Sequence, residues 1–330
     1  MRPDLVLITM SPFYLGRIVR PIQSLGSRVV LDLRDPWALD AWPGYRSWWH
    51  WRRELSLMGE ALRTADGFVM NTQDAMDAVL QRFPDLKNRP RIVVENGWAE
   101  EDFKSPAPCA DRRGPGAPFR LAHSGTLHQG LSKLGHPLKR WFRERISYSP
   151  QQIDVSGRGP RHVVEAVRRL RERGLDVTLE LIGARSPGLL QFLNNTGFSE
   201  FVNARGYLDH DLAVSFIRKA DALFLPLGGL VAGDRSLIVP GKTYEYLVAG
   251  PPIVAALPDG DARDLVAQSS RAFLSDPCDP NEIAEAIEDS MHWWSRESAE
   301  RTTGIEPFME KFERKRLARR MRDFLEALAG

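Results

Sequence analysis

The residues of this chain whose types and spacing best suit chemistry lie in one stretch, Val239-Pro240-Gly241-Lys242-Thr243-Tyr244-Glu245-Tyr246-Leu247-Val248-Ala249-Gly250. It reads as a loop, a helix start, a short helix and a glycine stop, followed by the apolar run Pro251 to Ala255. A helix whose first turn carries a lysine points free N–H groups, the positive end of its dipole and an ammonium at one spot, which is what a diphosphate needs. Glu245, one turn on, has the reach to accept hydrogen bonds from vicinal ribose hydroxyls. The same spacing also fits a capped surface helix with an i,i+3 lysine–glutamate pair. Residues elsewhere must decide between the two.

A second candidate is Ala122-His123-Ser124-Gly125-Thr126-Leu127. A small Gly-Thr turn at a strand's carboxyl end lets a ligand approach backbone N–H groups, although glycine at strand ends is common in α/β proteins. Other templates fail. Gly241-Lys242-Thr243 resembles the tail of a P-loop, but the glycine required five positions earlier is Ser236. No G-x-G-x-x-G follows a strand, and no G-x-S-x-G elbow makes His123 and Ser124 a hydrolase pair. The other histidines, His50, His128, His136, His162, His210 and His292, lack ligand spacing, as do Cys109 and Cys278, so no metal is expected.

These residues need elements to position them. Short β-rich runs, Leu5 to Thr9, Arg28 to Leu33, Gly67 to Asn71, Arg91 to Glu95, Arg120 to His123, Val177 to Ile182, Ala222 to Leu225 and Pro252 to Ala255, alternate with helical patterns. That alternation means parallel sheets, hence an α/β fold. Turn-rich composition between Asp102 and Pro118 marks a boundary between residues 1–112 and 113–305. In the second half, helices over Arg161 to Arg173 and Asp209 to Lys219 separate the strands. From Glu306 to Leu328, Phe308, Phe312, Leu317, Met321, Phe324 and Leu328 form an apolar stripe opposite a basic face, predicting a core-packing helix over 306–330.

The 330 residues carry 45 basic and 43 acidic side chains, a formal charge of +2, so no global field favours nucleic acid. No run approaches the roughly 20 apolar residues that span a bilayer. Met1-Arg2-Pro3-Asp4 leads too directly into Leu5-Val6-Leu7-Ile8 for a signal peptide. The two distant cysteines fit a reducing, cytoplasmic setting.

Gly125-Thr126-Leu127, Arg158-Gly159-Pro160 leading into Val163-Val164-Glu165-Ala166, Leu181-Ile182-Gly183, Gly206-Tyr207-Leu208, Ala220-Asp221-Ala222-Leu223-Phe224-Leu225-Pro226 and Lys242-x-x-Glu245-Tyr246-Leu247-x-x-Gly250 follow one another in the order seen in glycosyltransferase family 4. The chain resembles that family. The likeness extends upstream through Asp32-Leu33-Arg34-Asp35-Pro36-Trp37, Ala65-Asp66 and Glu95-Asn96-Gly97 with Phe103. It implies a GT-B fold of two facing Rossmann-like domains, with a nucleotide sugar bound mainly to the second and its sugar transferred with retention, without a metal or other cofactor. The acceptor would be a glycan, a lipid-linked sugar or a small metabolite. By the same resemblance Glu245 matches the ribose-binding glutamate, Gly125 and Thr126 sit under the phosphates with Gly183 nearby, and Arg158 and Lys242 neutralise the leaving diphosphate. Gly206, Tyr207 and Leu208 border the base, and the final helix crosses back to the first domain.

The chain departs from the family pattern in four places. Leu237 stands eight positions before Glu245, where the family has a paired glutamate, and Arg34 stands where many members have a histidine. An insert over 131–157, with Lys133, Lys139, Arg140, Trp141, Phe142, Arg143, Arg145 and Tyr148, reads as a solvated excursion or as a contact to an anionic acceptor or to lipid at the membrane's inner face. The β/α units that normally precede the segment resembling Pro3 to Ser11 are missing, so the first domain is expected to be incomplete. Trp42, Trp48, Trp49 and Trp51, with Arg46, Arg52 and Arg53, would pack the domains together or line an acceptor wall or interfacial belt. Two alternatives to transfer stay open: an impaired homologue that binds a nucleotide or a partner, and a nucleotide-sugar epimerase.

Overall fold

The computed structural model describes residues 2–40, 44–104, 116–127, 147–183, 186–296 and 305–330. Trp42, Cys109, His128, His136, the 112/113 boundary and the basic, aromatic part of the insert up to residue 146 lie outside the described residues. Among the described ones, β1 (Leu5–Thr9), β2 (Arg28–Leu33), β3 (Gly67–Met70) and β4 (Arg91–Val93) form a parallel sheet in sequence order. Helices α1 (Val19–Ser24), α2 (Trp48–Thr64) and α3 (Gln73–Arg82) lie in the crossovers, as parallel pairing demands. After α4 (Glu100–Phe103) the second half contributes β5 (Phe119–Ser124), β6 (Ile153–Asp154), β7 (Val177–Ile182), β8 (Val202–Gly206), β9 (Ala222–Pro226), β10 (Gly229–Leu230), β11 (Ile253–Ala256) and β12 (Ala272–Ser275). Their helices are α5 (Arg161–Glu172), α6 (Pro187–Thr196), α7 (His210–Arg218), α8 (Gly241–Ala249), α9 (Asp261–Val266), α10 (Pro280–Arg296) and α11 (Arg314–Ala329).

Six of these strands form a parallel sheet in the order β12-β11-β9-β5-β7-β8. The chain winds from β5 out to β8, then returns past β5 to β9, β11 and β12. The carboxyl end of β5 is thus a topological switch point, where the loops diverge and leave a crevice. Strands β9 and β11 are buried at every position, which explains their unbroken apolar sequences. One face of this sheet packs under α5 and α10 through Val164, Leu170, Ile283 and Ile287; the other packs under α8 through Tyr246, Leu247 and Leu223. In the first sheet, Leu31, Leu33 and Phe68 meet Met58 and Leu62 of α2, while Val30 and Val69 face Leu317 of α11.

The end of the chain differs from the expected single helix over 306–330. Residues Pro307–Phe312 form a 3-10 turn, and α11 begins only after Glu313, whose carboxylate accepts from the backbone N–H groups of Lys315 and Arg316. The apolar stripe is divided accordingly. Met309 and Phe312 pack in the core of the second sheet, whereas Leu317, Met321, Phe324 and Leu328 cover the first. Residues 147–157 are not a solvated excursion either: Tyr148 pairs through its backbone with Tyr45, β6 pairs with β10, and Gly157 is buried. The tryptophans split. Trp51 donates to the Ala38 carbonyl and lies 4.7 Å from the Tyr148 ring, but Trp49 is 76% exposed.

Candidate active site

Two glycines at the switch point bring backbone segments together where side chains would not fit. Gly125, one residue past β5, has φ +114° and donates its N–H to the Ile182 carbonyl at 2.7 Å. Gly183, one residue past β7, has φ +94°, and a Cβ there would lie 3.3 Å from the Gly125 Cα. A Cβ on Gly125 would run into the ammonium of Lys242. Both positions combine a left-handed backbone with close approach, the combination that calls for glycine.

Lys242 reaches this point from the first turn of α8, which carries no side-chain cap at its amino end. The helix is held rigidly. Tyr244 and Tyr246 are buried, the Tyr244 ring lies 5.2 Å from that of Phe312, and the Tyr246 hydroxyl accepts from the Ser124 N–H at 2.7 Å. At its far end the buried Arg271 guanidinium donates to the carbonyls of Leu247 and Gly250, satisfying orphan acceptors and opposing the dipole's negative end. The open, positive end of α8 therefore points at the crevice beside Gly125.

The charges there are partly removed from water. Burial, reinforced by the nearby Arg158 and opposed by Glu245, brings the Lys242 pKa down to about 8. His123 is 1% exposed; burial and the Lys242 charge hold its pKa well below the ordinary value, and its Nε2 stands 3.4 Å from Lys242 Nζ. Burial raises the Glu245 carboxyl, while His210, Arg314 and Lys242 pull it back. Arg314 stands 3.8 Å from Glu245, and His210, on α7, pairs with Asp102 of α4 at 3.0 Å. The Asp102 partner raises the His210 pKa, and the Glu245 carboxylate adds to the shift.

Residues 153–292 match the family model described as "Glycosyl transferases group 1". The match covers 140 of the chain's 330 residues. The match opens at β6 and runs to within a few residues of the end of α10, so it includes Arg158, Gly183, Gly206, Lys242 and Glu245. No curated protein sequence matches the chain. Among solved structures it is similar to a sucrose-phosphate synthase from Thermosynechococcus elongatus, with TM-score 0.66 and 14% identity over 98% of this chain and 73% of that one. It is similar also to a structure described as "Trehalose-6-phosphate from E. coli bound with UDP-2-fluoro glucose", with TM-score 0.65 and 13% identity over 100% and 74% of the two chains. The pneumococcal O-GlcNAc transferase in complex with UDP and GlcNAc gives TM-score 0.61 and 11% identity over 98% and 56%. These likenesses show the GT-B fold, an α/β architecture of two Rossmann-like units. With the match over residues 153–292, the chain is a glycosyltransferase enzyme.

Within this glycosyltransferase, Lys242, Gly125 and Gly183 converge, and Glu245 lies one turn above them. Arg158, at the end of the 3-10 turn Val155–Arg158, lines a cavity of about 20 Å³ with Asp40, Gln151, Leu230 and Leu237. Burial lowers its pKa and Asp40 opposes that shift. Gly206 has φ +78° and accepts from the Gly183 N–H at 2.6 Å; Leu208 is half-buried, whereas Tyr207 is 83% exposed and Thr126 is also exposed. Arg34 pairs with the buried Asp32, its Nε donating at 3.1 Å. A larger cavity of about 240 Å³, lined by Tyr14, Arg17, Trp37, Leu57 and Glu60, lies in the first half and includes none of the set. Charge and backbone geometry, not volume, mark the crevice at β5. Among the described residues no group of three His, Cys, Asp or Glu side chains is placed to hold a metal.

Sequence reasoning did not assign Asp102, His210 or Arg314 to the site. They come from α4, α7 and α11, and no local spacing links them. His123 was the one neighbour with a legible signal, being two residues before Gly125 in the strand that ends there.

Proposed function

We propose that the chain transfers a sugar from a nucleoside-diphosphate donor to an acceptor in the manner of family 4, with retention at the anomeric carbon and without a metal ion. The observation that carries this reading is the Lys242 ammonium lying over Gly125 at the open N-terminus of α8. A helix start with no side-chain cap, its dipole and a lysine meeting at a water-poor switch point suit a diphosphate. Because leaving-group charge grows as the sugar departs, Lys242 and Arg158 stabilise the transition state more than the bound donor, which is the condition for catalysis. Glu245 accepts from the ribose hydroxyls, while Gly125 and Thr126 underlie the phosphates and Gly206, Tyr207 and Leu208 border the base. Two of the similar structures were determined with uridine nucleotides, the one with UDP-2-fluoro glucose and the other with UDP and GlcNAc, which supports a nucleotide sugar as donor.

The acceptor in this reading is a glycan, a lipid-linked sugar or a small metabolite entering from the first sheet. The chain works in the cytoplasm, peripheral to the membrane's inner face, a placement that the exposed Trp48 and Trp49 and the Arg52 guanidinium 5.2 Å from the Trp48 ring centroid support. Among the described residues no helix is long and apolar enough to cross a membrane.

A thermal-shift titration against uridine, guanosine, thymidine and adenosine diphosphates and their sugars tests the donor site. A ligand at 100 times its dissociation constant adds about 2.7 kcal/mol to stability. One base is expected to stand out, with the shift lost in Glu245→Ala. A flat panel from the folded protein would overturn the donor-site reading, and turnover of free nucleotide sugar with no acceptor present would replace transfer by epimerisation.

A further inference from the structure

We propose that His123 is a positioning residue for Lys242, presenting a bare imidazole nitrogen that holds the lysine ammonium over Gly125 and aims it at the donor's phosphates. The inference rests on the donor-site reading above.

The ring's hydrogen bonds admit one tautomer. His123 lies near the carboxyl end of β5, and its Nδ1 stands 2.8 Å from the carbonyl oxygen of Phe224 on the adjacent strand β9. A carbonyl only accepts, so Nδ1 carries the proton and donates it. Nε2 of the neutral ring is then a bare acceptor. The group facing it, 3.4 Å away at the long end of the hydrogen-bonding range, is Lys242 Nζ, which in its charged form only donates. The ring cannot easily turn, because it is almost fully buried and meets Phe224 edge to face at 6.3 Å.

Protonation of His123 would set an N–H against the ammonium and place a second positive charge in a dry site. Burial and the Lys242 charge both oppose it. A buried histidine satisfied by a carbonyl is usually mere packing, and a ring serving only that purpose would turn its second nitrogen to apolar surroundings or to a backbone donor. Here it faces the same ammonium that closes over Gly125.

The other charges facing Lys242 do different work. Arg158 repels it, Glu245 attracts it, and burial outweighs both. His210, Arg314 and Asp102 surround Glu245 in turn. A carboxylate one turn away draws the ammonium up the helix, away from the phosphates. The acceptor on β5 draws it down onto the glycine. His123 also returns part of the hydrogen bonding that the ammonium loses on leaving water, so without it the lysine gives up its proton at lower pH.

The test uses the full chain with inorganic pyrophosphate, a probe of the phosphate cradle that is indifferent to base and sugar, titrated calorimetrically across a pH range bracketing about 8. Wild-type affinity is expected to fall on the alkaline side as Lys242 deprotonates. His123→Phe keeps the ring but not the acceptor; it should weaken binding by about tenfold at neutral pH, the size of one hydrogen bond to a charged group. It should also move the alkaline fall to lower pH. His123→Gln, whose amide oxygen can accept, should restore most of both.

The proposal is overturned if His123→Phe folds, binds with wild-type affinity and keeps the alkaline fall in place while Lys242→Met has lost binding. Should Lys242→Met bind as tightly as wild type, the donor-site reading itself fails and this inference with it. If His123→Phe does not fold, the imidazole ¹⁵N spectrum of the wild type decides. An Nδ1–H tautomer supports the assignment; an Nε2–H tautomer, which cannot accept from lysine, overturns it.

Discussion

Lys242 is more costly to the free protein than a surface lysine would be, and the cost has a sign that can be measured. Its pKa is about 8 in the fold against 10.5 for an ordinary lysine, with burial as the main cause. Between those values the unfolded chain holds a proton that the folded chain has released, so this group makes stability rise with pH across that window. Below about 8 the folded protein carries the full penalty of the partly dried ammonium. Lys242→Met should therefore stabilise the free protein at neutral pH by on the order of 1–3 kcal/mol, with the gain fading as pH rises toward the ordinary lysine value. Urea unfolding of both proteins at neutral and alkaline pH checks this. An unchanged midpoint at neutral pH would mean that the ammonium is solvated and not poised for an anion. The lysine and Glu245 were legible in the sequence because a helix start and a glycine stop bracket them. Arg314, Asp102 and His210 were not, since three remote elements bring them in and each alone is an ordinary surface side chain.

Strands β1, β2 and β7 were legible to the residue, because Leu-Val-Leu-Ile-Thr, Arg-Val-Val-Leu-Asp-Leu and Val-Thr-Leu-Glu-Leu-Ile are apolar runs with no competing helical period. Strands β8, Val-Asn-Ala-Arg-Gly, and β12, Ala-Phe-Leu-Ser, were not. They are short edge strands whose pairing is decided by β7 and β11 rather than by their own propensity. The misread end of the chain has a different cause. Phe308 and Phe312 continue the helical period of Leu317, Met321 and Phe324, but they serve another core, and the carboxylate of Glu313 starts a new helix between them. If α11 anchors to the first sheet through its stripe, Leu317→Ala should be severe, because Leu317 is 4% exposed and packs with Val30, Val69 and Val94. A loss of about 2–4 kcal/mol in chemical denaturation is expected, as for a buried leucine in a core that cannot collapse. A loss below about 1 kcal/mol, the range of surface substitutions, would mean that the helix is loosely laid on the sheet.

The two sheets are tied together near the candidate site as well as through the end of the chain. Asp74, in the first turn of α3, donates its backbone N–H to the Asp261 carboxylate at 2.7 Å, and Asp261, opening α9, donates its own to Asp74 at 2.6 Å. Two helix N-termini, one from each sheet's half, thus cap each other with the carboxylates that their dipoles favour. Such a pair of acids needs a cation, and Arg235 supplies it, gripping both Asp74 oxygens at 2.8 and 3.0 Å and Asp264 at 2.6 Å. Thr72 adds a donor to the Leu237 carbonyl at 2.8 Å. The segment so clamped, Arg235 to Val239, runs straight into α8, and its Leu237 lines the Arg158 cavity, so the relative placement of the halves and the position of the lysine helix depend on the same contacts. Asp74→Ala removes an acceptor shared by three donors and leaves Arg235 half paired. It should cost on the order of 2–4 kcal/mol, since charged hydrogen bonds are lost without any gain in packing. If the clamp couples the two cores, scanning calorimetry should show one transition for the wild type and, for the variant, a lowered and broadened or divided one. Nucleotide binding should weaken in the same variant, although Asp74 lies outside the donor set. A variant that keeps one sharp transition at the wild-type temperature would assign the coupling to other contacts between the halves instead, among them the Trp98–Phe312 backbone contacts and the α11 crossing.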